Sequence, residues 1–468
     1  MPRDLLVQWF RRFAHLTAAI ALVASSRADD PQVLLEIGRD FRETRLFSVG
    51  AVRCGEGRPP LLAVSGFSNN GRGDLASLAL YDLNESGISL RWQQLRGGDE
   101  SSSIRTLRIA DLNGDGCDEL VALGRVGNEE TDSRAELQVF EFAGESWRPL
   151  AMERWLSGQY THGYGMDIGD LDGDGRPEIA TGGFFRSGER ELAELRVWRV
   201  VGGQLELIAS TSWGSEAGQT RINSVRIGDL GGDGHVSIVT AGRTGQVHQE
   251  EGDNLQEADQ LIVWRLDSQQ LIRRAEYAGA LESRSRLREL RLADLDGAPG
   301  LELIAVGRQD PPRRRGRGDG SGGGTGGGRG DGTGGGRRGD QPAQLQPLMS
   351  VFQLHDTQLE RVTEADFGDA LGETRDLAVV SNPTGPTQVV TITANDLEPH
   401  RNAALDQWEW RDGGLRFQHR RTAVLGDETR ARQLLLWDGA ETSRILTIGF
   451  VDRKGQVLGQ ILDWGPLQ

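Results

Sequence analysis

The sequence of 468 residues has only two cysteines, Cys54 and Cys117, and a single lysine, Lys454. Two cysteines are too few to staple a chain of this length, so burial of apolar surface must stabilise the fold. The sequence also lacks a nucleophile motif, a phosphate-binding loop and a histidine/cysteine metal cluster. These absences favour a binding protein over an enzyme.

Positive charge is scarce relative to negative charge. The formal net charge is -16 and the isoelectric point is about 5.1. Nucleic acids and anionic lipid surfaces are bound by basic patches that displace counterions. We therefore expect no nucleic-acid partner.

Long apolar runs are also lacking, apart from residues 13–24 near the N-terminus. Arg3, Arg11 and Arg12 precede this run and Ser26-Arg27-Ala28 follows it, which is the layout of a cleaved signal peptide over residues 1–28. An uncleaved anchor or a disordered N-terminus are the alternatives, although the run is short for a membrane span. The pattern predicts export to the periplasm, the cell surface or the extracellular space, with no membrane span after cleavage.

Four segments repeat along the chain and align without gaps. They read RIADLNGDGCDELVALGR, DIGDLDGDGRPEIATGGF, RIGDLGGDGHVSIVTAGR and RLADLDGAPGLELIAVGR. Their first aspartates, 59, 59 and 65 residues apart, are Asp111, Asp170, Asp229 and Asp294. Each segment has a short apolar strand, a Gly/Asp/Asn turn and a second apolar strand, which predicts a β-hairpin.

A third predicted strand follows each hairpin and carries an aromatic residue in register. The aromatic positions are Tyr81, Phe140, Trp198, Trp264, Phe352 and Trp408. We interpret them as core residues between adjacent sheets. A more polar fourth strand follows, as in QLELIASTSW from Gln204, and four strands in about 60 residues is typical of a propeller blade.

The ends of the chain complete the repeat. Residues 45–95 and 373–420 keep the apolar pattern without the aspartates, and residues 432–464 supply only three strands. Residues 32–41 have the outer-strand pattern that is missing there. The sequence thus predicts an all-β, seven-bladed propeller of four-stranded blades over residues 29–468, closed by pairing of the N-terminal outer strand with the C-terminal blade. We expect a single domain and a monomer.

Two of the hairpin turns have oxygen donors at the spacing that Ca²⁺ requires. Side-chain oxygens fall at positions one, three, five and nine, with a backbone carbonyl at position seven. The predicted ligands are Asp111, Asn113, Asp115, Cys117 (carbonyl) and Glu119 in one turn, and Asp170, Asp172, Asp174, Arg176 (carbonyl) and Glu178 in the other. We expect about two structural calcium ions.

The other two turns are degenerate. The Asp229 turn has Gly231 and Ser237 at ligand positions, and the Asp294 turn has Ala298 at position five. Both are expected to bind calcium weakly or not at all. A helical calcium hand is disfavoured because no glutamate occupies position twelve and the flanks are strand-like.

The motif D-x-[DN]-G-D-G-x-x-E between two short strands resembles the FG-GAP (VCBS-type) repeat family, which includes the N-terminal propeller of integrin α subunits. The resemblance covers four repeats clearly and three by pattern. The Phe-Gly and Gly-Ala-Pro elements of the family are not regularly kept. The resemblance implies a propeller with structural calcium on one face and partner binding on the other.

The longest insertions are predicted on the face opposite the calcium turns. They are residues 128–134, 245–259 and 311–347. The last lies within the fifth blade, is dominated by Gly and Arg, and is predicted to be disordered. Its three Arg-Gly-Asp triplets, beginning at Arg317, Arg329 and Arg338, are expected by chance in such a composition.

The main functional hypothesis is a non-catalytic binding or scaffold module for a protein or glycan on the insertion-bearing face. The alternative is a polysaccharide-active lyase or hydrolase that uses a loop with Tyr160, His162 and Tyr164, together with His248. A purely structural envelope protein is a third hypothesis. The sequence leaves open whether Cys54 and Cys117, near the calcium-face turns of neighbouring repeats, form a disulfide.

Overall fold

The computed structural model describes residues 31–466 with internal gaps. The gaps are 56, 85–86, 98–99, 128–131, 145, 216–217, 248–254, 281–284, 311–344, 382–384, 396–400 and 439–442. The predicted signal peptide, His248, the Arg-Gly-Asp triplets and nearly all of the Gly/Arg-rich insertion lie outside the described residues.

The described residues form 28 β-strands and no helix. The first nine are β1 (Gln32–Ile37), β2 (Glu43–Val52), β3 (Leu61–Asn69), β4 (Asp74–Asn84), β5 (Gly87–Arg96), β6 (Ser102–Ala110), β7 (Glu119–Val126), β8 (Arg134–Phe142) and β9 (Trp147–Trp155). The next eight are β10 (Thr161–Gly169), β11 (Glu178–Ser187), β12 (Arg190–Val201), β13 (Gln204–Trp213), β14 (Arg221–Gly228), β15 (Ser237–Val247), β16 (Leu255–Asp267) and β17 (Gln270–Ala278). The last eleven are β18 (Ser285–Ala293), β19 (Glu302–Gln309), β20 (Gln346–His355), β21 (Gln358–Glu364), β22 (Glu373–Val380), β23 (Gln388–Asn395), β24 (Asn402–Arg411), β25 (Gly414–Ala423), β26 (Glu428–Asp438), β27 (Ser443–Arg453) and β28 (Gln456–Asp463).

The strands form antiparallel sheets in simple chain order. Five sheets have four strands each, namely β6–β9, β10–β13, β14–β17, β18–β21 and β22–β25. A sixth, eight-stranded sheet joins two four-stranded groups, β2–β5 and β26–β28 with β1. The two groups meet at one parallel residue pair, Glu43 and Val457. The predicted hairpins and the third and fourth strands of each repeat are confirmed.

The two ends of the described chain meet in one group, as predicted. β1 pairs antiparallel with β28, from Gln32 opposite Asp463 to Ile37 opposite Gly459. Leu35 of β1 is 4% exposed and packs in a core with residues of β2 and β27. The N-terminal strand thus covers an edge of β28 that would otherwise be open.

The aromatic residues of the third strands are buried against the preceding group of strands. Trp198 packs with Val121 and Leu123, and Trp408 packs with Ile304 and Val306. All six predicted aromatic positions are at most 4% exposed, which confirms their interpretation as core residues. Trp464, at the end of the group containing β1, packs in the same way against β23 and β24.

The buried tryptophans also satisfy their indole N–H groups in a recurrent way. Each donates to a threonine hydroxyl on the second strand of its own group, at 2.9 to 3.3 Å. The donor and acceptor pairs are Trp198 and Thr181, Trp264 and Thr240, Trp408 and Thr391, and Trp464 and Thr447. A buried indole without an acceptor would lose stability, so each threonine allows a tryptophan at this position.

The first strand of every group carries a register shift, which leaves one residue unpaired. The unpaired residues are Phe47, Arg105, Tyr164, Asn223, Arg288, Arg375 and Arg432. At this point the first strand approaches the second so closely that a Cβ on Gly124 would lie 1.9 Å from the carbonyl oxygen of Ser103. This contact explains the glycine that recurs in the second strand of most groups.

The first strands also contact one another from group to group. β2 contacts β6, and the same contact recurs through β10, β14, β18, β22 and β26, which contacts β2. The first strands therefore lie on the inside of the arrangement, and the polar fourth strands lie outside. Among the described residues, no helix has the length and apolar character to cross a bilayer.

Two predicted insertions are shorter in the structure than in the sequence analysis. Residues 245–247 belong to β15, and residues 255–259 belong to β16, because the two strands pair as far as Val247 and Leu255. Similarly, β20 begins at Gln346, inside the predicted insertion 311–347. Backbone pairing thus extends into polar segments that have no apolar alternation.

We expect Leu35→Ala to lower the free energy of unfolding by about 2 to 5 kcal/mol, because truncation leaves a cavity where β1 packs. Denaturant unfolding followed by circular dichroism measures the change. Leu90→Ala is the matched control, because Leu90 lies on an outer strand and is 42% exposed. Equal unfolding midpoints for the two variants would contradict the role given to β1.

Candidate functional site

The predicted calcium turns connect the first strand of a group to the second. Residues 111–118 join β6 to β7, and residues 170–177 join β10 to β11. Gly114, Gly116, Gly173 and Gly175 have φ between 75° and 84°, a conformation that glycine adopts without steric cost. The tight turn that the sequence predicted is therefore present in both hairpins.

In the first turn, the predicted ligands accept hydrogen bonds from the backbone of the turn. Gly114 N donates to Asp111 Oδ1 at 2.7 Å, and Gly116 N donates to Asp111 Oδ2 at 2.8 Å. Leu112 N donates to the buried carboxylate of Glu119 at 2.7 Å. Asn113 and Asp115 accept in the same manner, so backbone amides hold all four side chains around one turn.

The second turn repeats this geometry with one more carboxylate. Gly173 N and Gly175 N donate to the two oxygens of Asp170 at 2.8 and 2.9 Å, and Leu171 N donates to Glu178 at 2.9 Å. Carboxylate oxygens of Asp170, Asp172 and Asp174 lie within 4.8 Å of one another. This spacing is compatible with a shared cation.

A guanidinium group lies against this second set of carboxylates. Arg199 Nη2 is 2.5 Å from Asp172 Oδ2, and Arg199 Nε donates to Glu178 Oε1 at 2.8 Å. Asp174 Oδ2 is 3.6 Å from Arg199 Nη1. Arg199 therefore supplies positive charge to three of the four carboxylates that were predicted to bind calcium.

Arg199 comes directly after the aromatic Trp198, and the equivalent residue differs in each group. It is Glu141 beside the Asp111 turn, Arg265 beside the Asp229 turn and Gln353 beside the Asp294 turn. Arg265 contacts His235 at 3.1 Å, and Gln353 donates to Glu302 at 3.1 Å. This position determines the charge next to each turn. The sequence analysis did not identify this position, although it directly follows the aromatic residue in every repeat.

The degenerate turns differ from each other. In the Asp294 turn, carboxylate oxygens of Asp294, Asp296 and Glu302 lie within 4.8 Å of one another. The Asp229 turn keeps the hydrogen bonds from Gly232 N and Gly234 N to Asp229. The Asp294 turn therefore brings together the three carboxylates that its sequence keeps, although Ala298 occupies position five.

The Asp111 and Asp170 turns differ in their electrostatics. Burial, together with the negative charges of Asp115 and Asp111, raises the pKa of Glu119 to about 7. Burial also raises the pKa of Glu178, but the hydrogen bond and charge of Arg199 oppose this shift. The Asp111 turn thus has uncompensated negative charge, whereas the Asp170 turn has an internal cation.

Cys54 and Cys117 form a disulfide. Cys117 lies in the Asp111 turn, and Cys54 lies in the connection between β2 and β3. Backbone hydrogen bonds reinforce the link, with Asp118 N donating to Arg53 O at 2.9 Å. The pairing that the sequence left open therefore fixes the Asp111 turn to the neighbouring group.

The predicted Tyr160 to Tyr164 loop is incorrect, because β10 begins at Thr161. His162 is 4% exposed and hydrogen-bonds to Ser133 Oγ through Nε2 at 2.7 Å. Tyr164 stacks on Phe184 with ring centroids 5.7 Å apart. Because side chains alternate along β10, the side chain of His162 is buried. These residues therefore do not form the exposed catalytic loop of the enzyme hypothesis.

Residues 111–181 match the FG-GAP-like repeat. No curated protein matches the chain. A chain of the structure described as apo ctPRC2 in an autoinhibited state is similar, with a TM-score of 0.52, 9% identity, and coverage of 95% of this chain and 100% of that chain. Sqt1 of Saccharomyces cerevisiae has a TM-score of 0.50, 9% identity, and coverage of 94% and 100%.

An α-L-arabinofuranosidase of Fusarium graminearum has a TM-score of 0.40 at 11% identity, with coverage of 76% of this chain and 91% of that chain. At such identities, structural similarity shows the fold alone. The chain therefore has an all-β propeller fold and carries an FG-GAP-like repeat, a combination that supports a binding or scaffold module. The disulfide is consistent with an extracellular location.

In metal-free solution, stability should depend on pH through Glu119. Because the folded-state pKa of about 7 exceeds the ordinary value of 4.5, the folded protein binds the extra proton between these values. The free energy of unfolding should therefore fall as pH rises from about 4.5 to 7. Denaturant unfolding in chelator measures this slope.

Glu119→Gln should reduce the change of the free energy of unfolding with pH between about 4.5 and 7. Glu302→Gln, at the same position of the Asp294 turn, is the control and should leave the Glu119 contribution in place. If the free energy of unfolding changes equally with pH in Glu119→Gln and in the wild type, the pKa of Glu119 is not raised in the folded protein.

Proposed function

We propose that the protein is an exported, calcium-stabilised, seven-bladed propeller that binds a protein or glycan through its insertion-bearing face. The observation that carries the proposal is the separation of two sets of connections. Acidic turns join first strands to second strands, whereas the longest connection, between β19 and β20, joins a second strand to a third strand. In antiparallel sheets, these connections lie at opposite ends.

The proposed blade number rests on the grouping of strands. Five separate sheets and the two halves of the eight-stranded sheet supply seven groups. Seven hydrophobic cores each span two neighbouring groups, including one shared by β1, β2 and β27. The contact between β26 and β2 supports a closed ring.

The proposed binding face carries the connections that vary most in length. The connections after β7, β15 and β19 all follow a second strand, and the one after β19, residues 310–345, is much longer than the acidic turns on the opposite face, such as residues 111–118. Variable loops on a rigid framework are the usual location of a binding surface. The net charge of -16 gives no support for a nucleic-acid partner.

The residues of the Asp111 turn fit a calcium ion. Asp111, Asn113, Asp115 and Glu119 supply hard oxygen donors, and the carbonyl of Cys117 supplies a fifth. Glu141 adds negative charge on the adjacent strand. A site of about 0.1 mM affinity at millimolar calcium would stabilise the fold by about 1.4 kcal/mol.

The Asp170 turn fits calcium less well, because Arg199 already contacts its carboxylates. A bound cation would have to displace the guanidinium or share the carboxylates with it, at a Coulombic cost. We therefore propose unequal sites, with the Asp111 turn filled at lower calcium concentration. Asp170, Asp172, Asp174, Glu178 and the Arg176 carbonyl form the weaker site.

Arg199→Gln should strengthen calcium binding at the Asp170 turn by about tenfold or more, because it removes a positive charge beside the ion. Isothermal titration calorimetry and melting curves in calcium and in chelator measure the effect. Arg265→Gln is the matched control, since Arg265 has the same position beside the degenerate Asp229 turn. Equal calcium affinity in the wild type and in Arg199→Gln would contradict the proposed competition.

A glycan array and a panel of secreted proteins test the proposed partner binding. We expect saturable binding that survives His162→Phe, which keeps a ring in the aromatic cluster. A lyase and hydrolase screen on the same glycans tests the enzyme alternative. Turnover by the wild type that is lost in His162→Phe, with an unchanged melting temperature, would overturn the non-catalytic proposal.

A further inference from the structure

The unpaired residues of the seven first strands share one environment. We call this set of residues the axial ring. Its members are Phe47, Arg105, Tyr164, Asn223, Arg288, Arg375 and Arg432. Four of the seven are arginines and none is acidic. This composition is unexpected in a chain with a net charge of -16.

Members of the axial ring contact one another across neighbouring groups. The guanidinium carbon of Arg105 lies 4.4 Å from the ring centroid of Phe47 and 5.9 Å from that of Tyr164. Arg432 lies 5.9 Å from the Phe47 centroid on the other side. Residues from β26, β2, β6 and β10 thus meet in sequence around the inside of the fold.

Three arginines of the axial ring, Arg288, Arg375 and Arg432, have few acidic partners among the described residues. Arg288 and Arg375 share one carboxylate, that of Glu373. Arg432 has no ion pair within the part of the chain that the structure describes, and it lies only over the Phe47 and Phe450 rings. The Nε atoms of Arg375 and Arg432 are buried and donate no hydrogen bond to the described residues.

This excess of cations is electrostatically unfavourable. Burial and the charge of Arg288 together lower the pKa of Arg375 to about 10, although the charge of Glu373 opposes the shift. Burial also lowers the pKa of Arg432, and the charge of Arg375 adds to the shift, although the charge of Glu373 opposes it in part. Partly buried cations without counter-charges destabilise a fold unless another anion completes the arrangement.

Part of the axial ring is exposed to solvent. The side chains of Arg288 and Arg375 keep 33% and 18% of their accessible surface. The unpaired residues lie in the first half of each first strand, near the end that follows the previous group's fourth strand. This end belongs to the proposed binding face.

We propose that the axial ring binds an oxyanion beside Arg432, with Arg105 and Arg375 completing the site. Planar guanidinium groups pair with carboxylate, phosphate and sulfate oxygens through two parallel hydrogen bonds. The ligand class is therefore a small oxyanion or an acidic group of a larger ligand. The aromatic rings of Phe47 and Tyr164 hold the guanidinium of Arg105 in place. The inference rests on the proposed closed ring.

Titration with sulfate, phosphate, glucuronate and neutral glucose at constant ionic strength tests the site, with calorimetry and melting temperature as readouts. We expect saturable binding of at least one oxyanion and none of glucose. Arg432→Gln should weaken binding by about tenfold or more, because a charged hydrogen bond is lost. Binding of glucuronate alone would indicate a sugar acid, and binding of inorganic ions as well would indicate a general oxyanion site.

Arg72→Gln is the matched control, because Arg72 is exposed in the turn between β3 and β4 and its loss changes the net charge equally. Without added anion, Arg432→Gln should melt no lower than the wild type at low ionic strength, since it removes a repelled cation. Arg105→Gln provides a second variant with the same expected loss if Arg432→Gln does not fold.

No saturable oxyanion binding by the wild type would overturn the proposal. A lower melting temperature of Arg432→Gln with unchanged oxyanion binding would also overturn it, because the residue would then act in packing alone. The ion titration and the partner screen can fail separately, so each result bears on one proposal.

Discussion

Every four-stranded group buries both of its faces, and the aromatic residue of the third strand makes this burial possible. Twisted sheets arranged around a centre leave wedge-shaped gaps, and side chains as large as Trp408 or Phe352 fill them. The threonines that accept the indole N–H groups keep these large side chains free of unsatisfied polar atoms. The turns, the axial ring and the loops are all positioned by this packing.

Much of the fold could be predicted from local patterns. The aspartate spacing and the aromatic residues at Tyr81 to Trp408 located the hairpins and the third strands, because both features are fixed by short-range geometry. The pairing of β1 with β28 also followed, since an outer strand was missing at one end and present at the other. The extent of β15 and β16 did not follow, because their backbone pairing continues through polar residues.

The candidate site was predictable in its ligands but not in its charges. Asp111 to Glu119 and Asp170 to Glu178 are similar turns by sequence, yet Glu141 lies beside one and Arg199 beside the other. Their proximity depends on the pairing of the second and third strands, which brings together residues about 20 positions apart. The register shifts of the first strands were missed for a related reason. Their only sequence signal is a recurring glycine on the neighbouring strand.

Two kinds of charge compensation thus occur in one repeated framework. In the hairpin turns, backbone amides bind the carboxylates, and one variable residue either compensates their charge, as Arg199 does, or adds to it, as Glu141 does. At the centre, arginines from different groups gather with few carboxylates to balance them. Both arrangements arise because equivalent positions in the repeats carry different residues on nearly identical backbones, so chemistry can change from group to group without a change of fold.

The short strand β1 gives the N-terminal region an importance that its six residues would not suggest. Proteolytic trimming beyond Pro31 would strip the outer edge of β28 and leave hydrogen-bonding groups free to recruit a strand from another molecule. Loss of β1 would therefore expose a strand edge through which copies of the chain could associate. The chain segment before β1 must therefore be processed, if at all, without touching the six residues that follow.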